Sequence, residues 1–183
     1  SLWCRQLRIV TTTVIIMGSV LFSPTPGSAA DVPPTPWAES GGLRTPDYAA
    51  TVAWCEALAA SCDEVHVTSF GSSGRGRPLP LVIWDPRGDF TPADRAGRAV
   101  VMLQACIHAG ESCGKDAGME LLRDLVSGAY AAEFGGVPDR VTLLFLPIFN
   151  VDGHDRFGPY GRINQNGPEE MGWRTTATNL NLN

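Results

Sequence analysis

The sequence predicts an α/β fold: a mixed, mostly parallel sheet with helices on both faces, cut short at its C-terminal end. Three observations carry this reading. Two continuous apolar runs, Ala99 to Cys106 and Val141 to Phe149, bracket a helical stretch, and strand, helix, strand in that order makes parallel neighbours joined by a crossover. Two strand-like runs, Val65 to Phe70 and Leu79 to Trp84, flank a Gly/Ser-rich turn as the arms of a hairpin do. The composition is globular, with 44% hydrophobic and 18% charged residues.

The first thirty residues stand apart from the fold. Arg5 and Arg8 precede an apolar run from Ile9 to Phe22, then the helix breakers Pro24, Pro26 and Gly27, then Ser28-Ala29-Ala30. Basic, apolar and small residues in that order make a secretory signal peptide, with cleavage near Ala30. The apolar run is shorter than the roughly 20 residues a spanning helix needs, so no stable membrane insertion is expected after cleavage. The protein is therefore expected to be secreted or periplasmic. Removing the signal lowers Lys+Arg from 14 to 12 against 19 Asp+Glu. An acidic mature chain without a basic run excludes nucleic acid as a partner. The chain does not begin with Met and stops within a patterned stretch, Asn179 to Asn183, which reads as the N-terminal part of a longer protein.

Residues 31–44, rich in Pro, Gly, Ser and Ala, read as a linker or extended arm, and residues 45–183 as the domain. Thr45-Pro46 has the form of an N-cap followed by Pro at the first helical position. Tyr48, Val52, Cys55, Leu58 and Ala59 then give an amphipathic helix to Ser61. The run Ala99 to Cys106 is apolar throughout, which predicts a strand buried on both faces. Lys115 to Ser127 has Met119, Leu121, Leu122 and Leu125 for the apolar face of a helix. Cys55 and Cys62 are seven apart on that first helix, about 10 Å along its axis, too far for a disulfide. Cys106 and Cys113 flank the most interesting loop of the chain, as buried small hydrophobes, metal ligands or a redox pair.

In α/β folds the chemistry sits outside the carboxyl ends of the parallel strands. Two segments leave strands at that edge: Ile107-His108-Ala109-Gly110-Glu111 and Phe149-Asn150-Val151-Asp152-Gly153. His108 and Glu111 offer an imidazole nitrogen and a carboxylate, both zinc donors, with Gly110 allowing a turn between them. His66 and His154 are further candidate donors, and Arg162, Asn164 and Asn166 lie in a polar loop able to line a cleft or face solvent. The segment Gly71 to Pro78 lacks the phosphate-loop pattern, and no Gly-x-Ser-x-Gly elbow is present, which excludes those two chemistries.

From about Thr45 to Asn183 the chain resembles the carboxypeptidase A-like zinc metallocarboxypeptidases. Thr45-Pro46-Asp47-Tyr48, the hairpin residues Ser69 to Ser73 with Gly76-Arg77-Pro78-Leu79, Ile107 to Glu111, Phe149 to Gly153, and Trp173-Arg174 with Asn181-Leu182-Asn183 resemble that family's blocks in order. Val151 stands where the family commonly has Pro. The resemblance implies a zinc-exopeptidase-like fold in which His108 and Glu111 bind zinc. It implies that Arg174 stabilises the oxyanion, and that Arg174 and Asn183 bind substrate, Asn183 at its terminal carboxylate. The partners it implies are the C-termini of peptides or proteins, bacterial cell-wall peptides among them. The family's third zinc ligand and general-base Glu lie further downstream than Asn183, so this chain alone is expected to be inactive. Two other functions fit the same blocks: a zinc-dependent deacylase of small acylated amino acids, and an inactive peptidase-like domain that binds peptide ends.

Overall fold

The computed structural model describes residues 32–93, 97–130, 135–136 and 138–182. The expected signal peptide and Asn183 lie outside the described residues. Among the described residues four helices and four strands run in the order α1 (Pro36–Glu39), α2 (Tyr48–Ser61), β1 (Val65–Ser72), β2 (Pro78–Trp84), β3 (Ala99–Gln104), α3 (Cys113–Ser127), β4 (Val141–Leu146) and α4 (Val151–His154), with a 3-10 turn before β4. Among the described residues no helix is long and apolar enough to cross a membrane.

The strands form one mixed sheet in the order β1-β2-β4-β3. The expected hairpin pairs Val65 with Trp84 and Thr68 with Leu81. β4 runs antiparallel to β2 and parallel to β3, to which it is joined through α3, so the predicted strand–helix–strand unit supplies the parallel part of the sheet.

Alternation in the strands decides where the core lies. Val82 and Trp84 of β2 point to the same side as their partners Phe145 and Leu143 of β4. That side buries Trp54, Cys55 and Leu58 of α2 with Met119 and Leu122 of α3. Both long helices thus cover one face. On the other face, among the described residues, the loop after β2 does the covering, with Phe90 stacked on His66 at 5.2 Å.

Three expectations change here. β3 is apolar because it prefers burial, but it sits at the edge of the described sheet, with Val100, Val101 and Met102 52%, 47% and 63% exposed. An apolar run reports a residue preference and cannot report which neighbour is present. The supposed linker is docked: the Trp54 indole donates to the Pro34 carbonyl at 2.9 Å, and buried Thr35 caps α1 and bonds Glu120 of α3. Asp47, rather than Thr45, caps α2, accepting from the Ala50 amide at 2.8 Å, while Thr45 donates to Asp116 at 2.7 Å.

One buried ionic cluster ties the sheet together. Asp85, at the end of β2, has no exposed surface and accepts from Arg98 at 2.7 Å, from the Arg87 amide at 3.0 Å and from Thr142 of β4. Arg98, just before β3, also reaches Asp89 at 2.8 Å. Burial pushes the Asp85 carboxyl up, but these hydrogen bonds outweigh it and hold it below its ordinary value.

Candidate active site

Past their ends, β3 and β4 stay zipped together: the amides of Phe149 and Asn150 donate to the carbonyls of Ala105 and Cys106, each at 3.0 Å. The two motif loops therefore leave the sheet side by side, as the sequence predicts. Cys106 turns the chain with a φ of 52°, a left-handed value uncommon for a residue with a side chain. The Glu111 amide then closes a turn on the His108 carbonyl at 2.9 Å.

This turn brings the two predicted donors together. His108 Nδ1 lies 3.2 Å from Glu111 Oε2, and His108 Nε2 lies 2.8 Å from Asn181 Oδ1. With the Asn181 carbonyl oxygen as acceptor, Nε2 carries the hydrogen and Nδ1 presents its lone pair to Glu111. Two acceptors at 3.2 Å repel each other unless positive charge lies between them, either a proton on Nδ1 or a metal ion. Donors at about 2.0–2.2 Å from a tetrahedral zinc stand about 3.3 Å apart, so this edge fits two ligand positions. Among the described residues no set of three His, Cys, Asp or Glu converges on a metal position, so His108 and Glu111 form an incomplete donor set.

Glu111 also gathers arginines. Its Oε1 is 2.8 Å from Arg162 Nη1 and 3.6 Å from Arg174 Nη1. Burial pushes the carboxyl up, but contact with His108 and Arg162 outweighs burial and keeps it below the usual carboxylate range. Arg174 thus stands with His108 and Glu111.

The second motif loop holds Arg174 by its backbone. Asn150 caps α4, accepting from the Gly153 amide at 3.0 Å, and its side-chain amide donates to the Arg174 carbonyl at 3.1 Å. The Trp173 amide donates to the Gly153 carbonyl at 2.8 Å. Asp152 faces the hairpin instead, accepting from the Ser73 hydroxyl at 2.7 Å. That bond accounts for the hairpin motif: its loop is strapped to the turn that carries the site.

Gly153 has no room for a side chain. A Cβ there would stand 2.4 Å from the Thr175 carbonyl oxygen and 2.7 Å from that of Trp173. Gly153→Ala is expected to destabilise the chain by about 1–3 kcal/mol, read from urea denaturation. A midpoint equal to wild type would refute the close packing.

Neither alternative histidine joins the site. His154 is fully buried, with Nε2 3.2 Å from Lys115 Nζ, and burial together with the lysine charge pushes its pKa well down. Lys115, also fully buried, donates to the Pro46 carbonyl, tying α3 to the start of α2. The cysteines Cys55, Cys62, Cys106 and Cys113 are free. Burial pushes the thiols of Cys55 and Cys106 up to about 12, which fits small core residues and disfavours thiolate ligands.

Sequence reasoning assigned no partner to two residues that matter here. Asn181 was legible only as part of a motif block, and its bond to His108 spans 73 positions. Arg162 looked like a loop residue. A signal for it exists in Gly110, whose missing side chain makes space rather than a turn: a Cβ there would meet Arg162 Cγ at 2.7 Å.

Comparison with known proteins bears on the family and the fold. The family profile described as zinc carboxypeptidase matches residues 51–183. A metallo-carboxypeptidase from Burkholderia cenocepacia is similar at 26% identity and a TM-score of 0.50, over 74% of this chain and 31% of that one. Carboxypeptidase A from Helicoverpa armigera shares the fold at 22% identity and a TM-score of 0.55, over 73% of this chain and 29% of that one. The chain thus spans less than a third of either structure. No curated protein matches it. With a family match over most of its length, the chain belongs to the zinc carboxypeptidase family.

Proposed function

We propose that this chain is the N-terminal part of an exported zinc-dependent metallocarboxypeptidase that hydrolyses C-terminal peptide bonds. The observation that carries the reading is the pairing of His108 Nδ1 and Glu111 Oε2 at the carboxyl edge of the parallel strands, with Arg174 at the same carboxylate. When bound, zinc would polarise the scissile carbonyl and lower the pKa of its water. Glu111, with its depressed pKa, is ionised at neutral pH and ready to act as a ligand. Asn181 fixes the His108 tautomer so that Nδ1 is the free donor. Arg174 supplies a fixed positive charge for the oxyanion. The remaining ligand and the base would come from residues beyond Asn183, as the family resemblance implies.

The test is made on the complete protein that carries this chain, by measuring zinc content and the release of C-terminal amino acids with and without a chelator. Stoichiometric zinc without chelator-sensitive release would sink the enzyme reading. Asn181→Ala is expected to weaken zinc binding by about 10–100-fold, since outer partners of a ligating His carry that much. Competition with a chromophoric chelator measures it, and unchanged affinity would show that Asn181 does not orient His108.

A further inference from the structure

Two guanidinium groups converge on one carboxylate oxygen, Glu111 Oε1, and a carboxypeptidase oxyanion needs only one of them. Arg162 is the closer, at 2.8 Å against 3.6 Å for Arg174. The contact is Coulombic more than directional, since the buried Nη1 has no aligned hydrogen bond.

The position of Arg162 is built. Its stem lies across Gly110, where any side chain would collide with Cγ and Cδ. Three residues on, Gln165 donates from Nε2 to the carbonyls of Gly110 at 3.0 Å and Gly167 at 2.8 Å. The loop bearing Arg162 is thereby clasped to the loop bearing His108 and Glu111. A cleft of about 390 Å³ opens beside Glu111, walled in part by Trp37, Cys113, Gln165 and Asn166. That is within the size range of small-ligand pockets. The other carboxylate lining it, Asp116, is buried and accepts from Thr45.

Arg162 does not wall that cleft itself but stands on the Glu111 carboxylate at its edge, so charge at Glu111 decides what binds there. If Glu111 serves a divalent cation, one carboxylate faces that cation and two arginines, and among the described residues positive charge is left uncompensated in a partly buried site. Arg174 has the oxyanion to answer. Among the described residues no carboxylate other than Glu111 pairs with Arg162, and a planar guanidinium is matched by a second planar anion, a carboxylate. We propose that Arg162 is a specificity residue that selects substrates carrying a carboxylate in addition to the terminal one, that is, acidic peptides. This rests on the carboxypeptidase reading above, and the test separates the two.

Glutarate and its monoamide, glutaramate, differ by one carboxylate and cannot be cleaved as peptides. Their binding to the zinc-loaded complete protein is measured by calorimetry at fixed salt, for wild type, Arg162→Gln and Arg162→Lys. Glutarate should bind about tenfold more tightly than glutaramate, the factor expected of one charge-assisted contact. Arg162→Gln should erase the ratio, and Arg162→Lys should keep a reduced one, which serves also if the Gln variant fails to fold. Equal binding of the two ligands, no binding of either, or a ratio unchanged in both variants overturns the proposal. Acid-selective binding without peptide hydrolysis would instead overturn the enzyme reading alone, and hydrolysis without acid selectivity the specificity proposal alone.

Discussion

Arg174→Gln is expected to lower kcat/KM of the complete protein by about 10²–10³, the loss typical of removing one preorganised oxyanion donor. The effect should fall mainly on kcat, because the interaction strengthens as negative charge develops on the carbonyl oxygen. The structure favours a clean experiment. Arg174 is positioned through its own backbone, with its carbonyl held by Asn150 and the preceding amide by Gly153, and its side chain is 41% exposed. Truncating the head should therefore leave the fold intact. Steady-state kinetics on peptides, with thermal denaturation as the folding control, measures the result. A rise in KM at unchanged kcat would reassign Arg174 to ground-state binding.

Asp85→Ala is expected to be the most damaging single change to the fold itself. Removing one partner of a buried ion pair costs roughly 3–5 kcal/mol, because the other charge is left unpaired. The value should lie near the lower end, since Arg98, itself 6% exposed, keeps Asp89. Thr142 and the Arg87 amide also lose their acceptor. Denaturant midpoints at neutral pH would show the loss, and a shift under about 1 kcal/mol would mean the cluster is structurally idle. The pH dependence has a definite sign. The folded carboxyl titrates below its ordinary value, so its contribution is fully present above about pH 4 and is lost as pH falls through the lower folded pKa. Wild type should weaken in that acid window, whereas Asp85→Ala should lack this component of the weakening.

Most of the framework is readable from local pattern. Strand–helix–strand order and hairpin alternation locate the sheet, and the ends of the apolar runs locate His108 and Glu111 at its working edge. Patterns of this kind report what a residue prefers. They do not report which partner satisfies it, and each correction arises there. Val100 and Met102 prefer cover and are exposed. Thr45 has the chemistry of a helix cap and is used by Asp116 instead. The arm at 31–44 looks unstructured because its attachments, the Trp54 indole and Glu120, lie far along the chain. Asn181 and Arg162 escape a local reading for the same reason: each becomes part of the site only through a partner more than fifty residues away.

That distance also fixes an order of assembly. The bond from Ser73 to Asp152 spans 79 positions and the one from His108 to Asn181 spans 73. Loop closure must precede the reward of such contacts, so they form late. As the chain is synthesised, His108 and Glu111 emerge long before the residue that orients the imidazole. On the proposed zinc reading, a cation arriving early would meet two unoriented donors and bind weakly. Capture of the proposed metal would thereby be postponed until the sheet has formed and the 170s segment has docked on Asn150 and Gly153, which would make metal occupancy a report on completed folding.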